Sequence, residues 1–190
     1  LHLWKATGEK RFLEHVTALM DFVAGVQLAS GELPYVVESP YEARREHYLC
    51  FQYNAFQFLK LAWCAKLKPE TGADAVLPRL ACFLEGGVLP SGAGAADCGY
   101  ARGGGPEVDY YTAALAAALA EAEQQGLATT PGLSGRCYAR TLARQRPDGS
   151  FAYSTGDYGF LRDQRSYPRP MAMTLFHLLY PYCGARYASS

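Results

Sequence analysis

Residues 48–64 read YLCFQYNAFQFLKLAWC, a stretch of helical length with almost no polar face. Two later stretches share this property: residues 110–120 read YYTAALAAALA, and residues 171–183 read MAMTLFHLLYPYC. A helix that is apolar on all sides has to be buried on all sides. The sequence therefore predicts three inner helices, of which we expect 48–64 to be the most buried.

The segments that precede these stretches are amphipathic. From Phe12 to Val23 the apolar residues form one helical stripe, and Lys10 and Asp21 lie off it. Helices wet on one side alternate with helices covered on all sides, a pattern typical of two packed layers. We predict an all-α fold of helical hairpins, with helices at 10–28, 47–66, 74–86, 108–125, 133–146 and 169–183.

A short turn motif occurs three times, as Gly31-Glu-Leu-Pro-Tyr35, Gly87-Val-Leu-Pro-Ser91 and Gly149-Ser-Phe-Ala-Tyr153, at spacings of 56 and 62 residues. Such a period indicates repeated structural units. Six hairpins of about 60 residues would close an α/α toroid of roughly 350 residues. We interpret residues 1–190 as a single repeat domain forming a partial toroid, about half, either a fragment of a longer chain or an arc completed by another chain.

The segment Gln145-Arg-Pro-Asp-Gly-Ser-Phe151 resembles the QxxDGxW/F repeat of the terpenoid cyclase and protein prenyltransferase superfamily, and Gln27-Leu-Ala-Ser-Gly-Glu-Leu33 is a degenerate copy. The resemblance implies an α/α toroid that holds a largely apolar substrate in an aromatic-lined cavity. The catalytic motifs of the superfamily are not matched. The DxDD acid motif of the proton-initiated cyclases is absent, and Asp109-Tyr-Tyr111 stands where the Asp-x-x-His pattern of the prenyltransferases would be expected.

Two other classes of function stay open. Leu3-Trp-Lys-Ala-Thr-Gly-Glu9, followed by Phe12-Leu13, resembles the turn between hairpins in toroidal sugar epimerases and glycosidases. The chain could therefore be a carbohydrate-active toroid of the glycosidase, lyase or epimerase type. A non-catalytic repeat scaffold for a protein partner is the third hypothesis. The sequence alone does not decide whether the chain is an enzyme.

Candidate site residues lie where three long loops, roughly 31–46, 87–108 and 149–166, lead into the inner helices. Because every loop runs from an outer to an inner helix, we expect them to share one rim. His47 and Asp109 are the catalytic candidates, since an imidazole near a carboxylate can act as acid or base around neutral pH. The candidates for binding substrate by aromatic stacking or by an arginine clamp are Tyr48, Tyr110, Tyr111, Arg162, Arg165 and Tyr167.

Composition limits the partners and cofactors. Lys plus Arg equals Asp plus Glu at 18 each, which gives no support to a nucleic-acid partner, and no apolar run is long enough to span a membrane. Six cysteines without a CxxC pair favour reduced thiols in a cytoplasmic protein. Asp97 and Cys98 with His47 offer oxygen, sulfur and nitrogen ligands for zinc, but no ligand spacing supports such a site. Because Cys98 and His47 lack a recognisable third and fourth ligand, we predict no metal and no cofactor. The expected partner is a small-molecule substrate, isoprenoid-like or a sugar.

Overall fold

Seven α-helices and one pair of short strands make up the regular structure of the described residues. A computed structural model describes residues 1–38, 40–41, 47–95, 97–98, 107–157 and 161–187, without the side chains of 154–157, 161–162 and 183–187. The elements are α1 (His2–Thr7), α2 (Lys10–Val26), α3 (Cys50–Leu67), α4 (Leu77–Glu85), α5 (Asp109–Gln124), α6 (Leu133–Leu142), β1 (Ser154–Asp157), β2 (Leu161–Asp163) and α7 (Pro168–Tyr187).

The six predicted helices are confirmed, and their ends differ for local reasons. Helix α3 begins at Cys50 because Leu49 has a positive φ of 43°, which a helix does not tolerate. Helix α4 begins at Leu77 because residues 73–75 form a 3-10 turn instead. The fold is mostly helical, as predicted, and the antiparallel β1–β2 pair lies in the third long loop.

Helix α5 is the most buried element of the described chain. Its residues Ala113 to Ala118 are at most 1% exposed, and it packs against α3, α4, α6 and α7. Methyl side chains allow the neighbouring helices to approach closely on all sides. The expectation that 48–64 would be the most buried stretch is wrong, because Phe56 and Trp63 of α3 face an open groove. Phe51, Phe58 and Leu59 are buried as expected.

Helix α7 is less covered than its sequence predicts. Leu175, Phe176 and Leu179 are 57%, 48% and 45% exposed. The main neighbour of α7 is α5, which covers one side of the helix. The expectation of burial on all sides is therefore wrong for residues 171–183. Among the described residues, no other helix covers α7 as extensively as α5 does.

The structure places the second turn of the repeat five residues later than the sequence motif suggested. The same pair of backbone hydrogen bonds closes the turns at residues 28–32, 89–93 and 146–150. In each turn the side chain of Ser30, Ser91 or Asp148 accepts a hydrogen bond from the backbone N–H two residues later. The equivalent glycines are thus Gly31, Gly92 and Gly149, all with positive φ, and not Gly87.

The first two turns pack on the outer helix of the following hairpin. A methyl group at Gly31 would overlap the backbone carbonyl of Arg79 in α4, and one at Gly92 would lie 2.9 Å from the carbonyl oxygen of Arg136 in α6. The two arginine side chains strengthen the contact: Arg79 donates to Gln27 Oε1 at 2.7 Å, and Arg136 donates to the Pro90 carbonyl at 3.1 Å. Successive hairpins are therefore joined by the same backbone-to-backbone contact.

We predict that Gly31→Ala lowers the free energy of unfolding by roughly 2 kcal/mol or more beyond the loss caused by Gly149→Ala. Both glycines have a positive φ, which costs an alanine about 1–2 kcal/mol. Only Gly31 also lies against the backbone of another hairpin, whereas the nearest atom to a methyl group at Gly149 is 4.0 Å away. Urea unfolding of the two variants gives the comparison, and equal losses would contradict the stacking contact.

Candidate functional site

An apolar groove of about 790 Å³ lies between α3 and α7. The rings of Phe56 and His177 stack across it with centroids 5.4 Å apart. Six of its eleven lining residues carry rings and none is Asp or Glu; the full lining is His2, Phe56, Leu59, Lys60, Trp63, Cys64, Ala172, Met173, Phe176, His177 and Tyr180. Such a surface suits a ligand whose body is apolar.

Lys60 and His177 are two of the polar residues that line the groove. Lys60 is exposed and forms no ion pair within the described part of the chain, so its charge is available to a ligand. His177 is 4% exposed and its Nδ1 has no hydrogen-bond partner there. Burial lowers the pKa of His177 to about 4, and nearby Lys60 contributes to the decrease. The imidazole is therefore neutral at pH 7.

Tyrosines from all three hairpins form a band at the starts of the inner helices. In the first hairpin the ring of Tyr48 lies 4.7 Å from Tyr35 and 6.2 Å from Tyr53. Burial raises the pKa of Tyr53, with further contributions from Tyr35, Tyr48 and Tyr110. The second hairpin lies close to the first, because their inner helices α3 and α5 pack against each other.

The band continues into the third hairpin. The ring of Tyr153 lies 6.0 Å from Tyr110 and 5.4 Å from Tyr167, and Tyr110 also contacts Tyr111 at 4.5 Å. Tyr110, Tyr111 and Tyr167, three of the four tyrosines that the sequence suggested as substrate contacts, thus lie in one group of rings, whereas the ring of Tyr48 contacts Tyr35 and Tyr53.

Four side chains form a cluster at the start of α3: Glu32, His47, Cys50 and Cys98. His47 Nδ1 lies 2.8 Å from Glu32 Oε2, and the sulfur atoms of Cys50 and Cys98 are 2.6 Å apart. The Cys98 thiol points to Glu32 Oε2 at 3.8 Å. Glu32 and Cys50 are buried, whereas the His47 side chain is 52% exposed. The structure therefore places two further possible metal ligands, Glu32 and Cys50, beside Cys98. The sequence alone had not identified such ligands, which is why we predicted no metal.

Electrostatics differ within this cluster. Burial raises the pKa of the Glu32 carboxyl, and the adjacent His47 opposes the rise. The hydrogen bond between the two thiols raises the pKa of Cys50 and lowers that of Cys98. Cys98 is therefore the first of the two to ionise.

Asn54 fixes the position of the cluster. Its Oδ1 accepts a hydrogen bond from the Leu33 N–H at 2.8 Å, and its Nδ2 donates to the carbonyls of Leu33 and Cys50. Asn54 is 1% exposed, so these bonds are sheltered from water. They hold the backbone beside Glu32 against the first turn of α3.

Asp109 lies in a different charged cluster, at the start of α5. Arg144 donates to its Oδ1, and Arg140 pairs with Glu107 nearby. Burial raises the pKa of Asp109, and the hydrogen bond from Arg144 opposes the rise. In the described structure Asp109 pairs with Arg144, which follows the end of α6, while His47 pairs with Glu32. Their joint catalytic role stays a prediction.

Of the two candidate arginines, the structure describes the side chain of one. Arg165 binds the Asp163 carboxylate with both Nε and Nη2, at 2.9 and 3.0 Å, and the Tyr167 hydroxyl donates to the same carboxylate. Hydrogen bonds from these residues hold the pKa of Asp163 well below its usual range. The side chain of Arg162 lies outside the described part of the chain.

Several site residues were missed at the level of sequence. Phe56, Trp63, Phe176 and Tyr180 belong to stretches interpreted only as core, and their spacing along α3 and α7 does not distinguish a groove from a core. Glu32 had a usable signal, since it is an acid that directly follows a turn glycine, next to an apolar residue.

Comparison of the chain with models of protein families, with curated proteins and with solved structures found no match in any of the three. Among the described residues, none of the helices combines the length and the apolar character needed to cross a bilayer.

We predict that acid destabilises the fold through His177. Its pKa is about 4 in the folded chain, against about 6.5 unfolded, so the stabilisation is complete above pH 6.5 and is lost as the pH falls toward 4. Between pH 7 and 4.5, the wild type should lose about 2–3 kcal/mol more than His177→Phe, which keeps a ring beside Phe56 but cannot ionise. Urea unfolding at both pH values measures the difference, and parallel losses in the two proteins would refute it.

Proposed function

We propose that the three hairpins form an arc of an α/α toroid, and that the chain is an enzyme or enzyme-derived domain of the terpenoid cyclase/prenyltransferase-like type. In this proposal the groove between α3 and α7 binds a largely apolar small molecule. The observation that carries the proposal is the lining of the groove, which is rich in rings and contains no carboxylate.

The repeated turn contact supports the arc. The first hairpin meets the second through Gly31, and the second meets the third through Gly92, with the same geometry and the same direction. Units that repeat one rigid step form curved assemblies with a concave face. The inner helices α3, α5 and α7 are consecutive steps of such a curve.

The volume and chemistry of the groove indicate the ligand class. A space of about 790 Å³ lies within the range of small-molecule sites. Ring faces such as those of Phe56, Trp63 and Phe176 provide apolar area and attract a cationic centre. Lys60 supplies one positive charge on the same surface. We therefore infer an apolar chain with an anionic head, as in a prenyl diphosphate.

The carbohydrate-active alternative receives less support. Hydrolysis of a glycosidic bond uses two carboxylates about 5–10 Å apart on either side of the sugar. No Asp or Glu of the described residues lines the groove. The two buried acids of the rim, Glu32 and Asp109, are engaged by His47 and Arg144 respectively.

Truncation of a groove aromatic should weaken binding of farnesyl diphosphate. Loss of the Phe176 side chain removes apolar contact worth about 1.5–3 kcal/mol, so Phe176→Ala should raise the Kd roughly 10- to 100-fold. Leu175→Ala is the matched control, since Leu175 is adjacent and exposed but does not line the groove. Isothermal titration calorimetry measures both. Equal effects of the two substitutions, or no binding by the wild type, would contradict the proposal, as would tight binding of a disaccharide.

The role of Lys60 is tested separately with Lys60→Met, which keeps an unbranched apolar stem. The Kd for farnesyl diphosphate should rise roughly 3- to 10-fold, as for loss of an exposed charge pair, while the Kd for farnesol stays constant. Equal changes for the two ligands would mean that Lys60 contacts the chain of the ligand and not its head.

A further inference from the structure

We propose that Glu32, Cys50 and Cys98 form a zinc-binding site at the start of α3. One ligand atom from each of the three residues lies within 4.8 Å of the other two. They come from three parts of the chain: the first repeat turn, the first residue of α3 and the loop after the second repeat turn. This convergence is tertiary, because Glu32 and Cys98 are 66 residues apart.

The carboxylate is prepared for a ligand. Glu32 is 0% exposed, and its Oε1 accepts no hydrogen bond from the described residues. A buried carboxylate oxygen without a partner is costly, and coordination of a cation removes that cost. The other oxygen, Oε2, lies 2.8 Å from His47 Nδ1. Carboxylates that bind a metal are themselves held by hydrogen bonds, and His47 provides such a bond to Glu32.

The two sulfur atoms are held on the same side of the site. The Cys98 N–H donates to Cys50 Sγ at 3.0 Å, and Asn54 ties the Cys50 carbonyl to the loop that carries Glu32. With Zn–S bonds of about 2.3 Å in a tetrahedron, the sulfur atoms would lie about 3.8 Å apart. They are 2.6 Å apart here, so the half-buried Cys98 side chain has to move outward by about 1 Å.

The donor set selects zinc. Two thiolates exclude Mg²⁺ and Ca²⁺, which prefer oxygen ligands, and a mixed set of sulfur and oxygen suits tetrahedral Zn²⁺. Three protein ligands leave a fourth position for water or a substrate, as in catalytic zinc sites. His47 is a positioning residue in this arrangement, because it acts through Glu32. The site shares no residue with the groove between α3 and α7, so either proposal can fail without the other.

The test is metal analysis of the chain of residues 1–190, purified with a phosphine reductant and dialysed against Zn²⁺. We expect about one zinc per chain by elemental analysis. Replacement by Co²⁺ should give a sulfur-to-metal charge-transfer band and the visible bands of tetrahedral cobalt. Less than about a tenth of a zinc per chain, or cobalt spectra without the charge-transfer band, would overturn the proposal.

Variants assign the ligands. C98S should reduce the zinc content at least about tenfold, and H47A should weaken zinc binding roughly 10- to 100-fold while the charge-transfer band of the cobalt form remains. C82S is the matched control and should keep full metal content, since Cys82 is exposed on α4. Circular dichroism verifies that each variant is helical. If C98S does not fold, the isosteric E32Q provides the same comparison through the carboxylate.

A disulfide between Cys50 and Cys98 is the competing outcome. Mass spectrometry of protein prepared without reductant would show it as the loss of two hydrogen atoms, located in the peptides that contain these cysteines. If the reduced protein then takes up zinc, the site stands. If the reduced protein takes up none, or if C98S retains the wild-type zinc content, the zinc proposal is refuted.

Discussion

The contact of a turn glycine with a backbone carbonyl of the next outer helix governs the arrangement of this chain. Gly31 lies against Arg79 and Gly92 against Arg136, and neither position has room for a side chain. Because backbone meets backbone, the step between hairpins is fixed with little freedom. The residues that follow each glycine are directed toward the start of an inner helix. Glu32, directly after Gly31, is placed in this way beside Cys50.

The alanines of α5 determine how closely the neighbouring helices approach it. With side chains no larger than methyl from Ala116 to Ala118, α5 lets α3 and α7 approach from both sides. The rings of Phe56 and His177 stack between these two helices, and both rings line the groove. Larger residues in α5 would separate α3 from α7. The groove is therefore a consequence of small residues that do not line it.

A buried carboxylate lies at the start of each of the inner helices α3 and α5, but the side chains that contact it differ between the two. At the start of α3, the buried carboxylate of Glu32 meets His47 and two thiols, and Asn54 secures the backbone beside it. At the start of α5, the buried carboxylate of Asp109 meets Arg144, a permanent cation that donates to its Oδ1, while its Oδ2 has no hydrogen-bond partner among the described residues. Only the first of the two combines a carboxylate with sulfur donors. This difference is why we place a metal at α3 and an ion pair at α5.

The sequence by itself determined the helices, since a helix is recognised from local periodicity. Six helices and the alternation of amphipathic and apolar segments follow from residues within about one helical length of each other, whereas the repeat follows from a turn motif that recurs at spacings of 56 and 62 residues. The sequence motif assigned the second turn of the repeat to Gly87, whereas the equivalent turn contains Gly92. The residues of this turn differ from those of the other two, and only the hydrogen bonds show that the three turns are equivalent. Tertiary structure alone decided which side of α3 is open, that α5 and not α3 is at the centre, and that Glu32 and Cys98 meet. Those facts depend on how hairpins stack, and stacking contacts join residues that are about 45 to 65 positions apart, as Gly31 and Arg79 or Glu32 and Cys98 are. No local pattern in a single sequence carries that information.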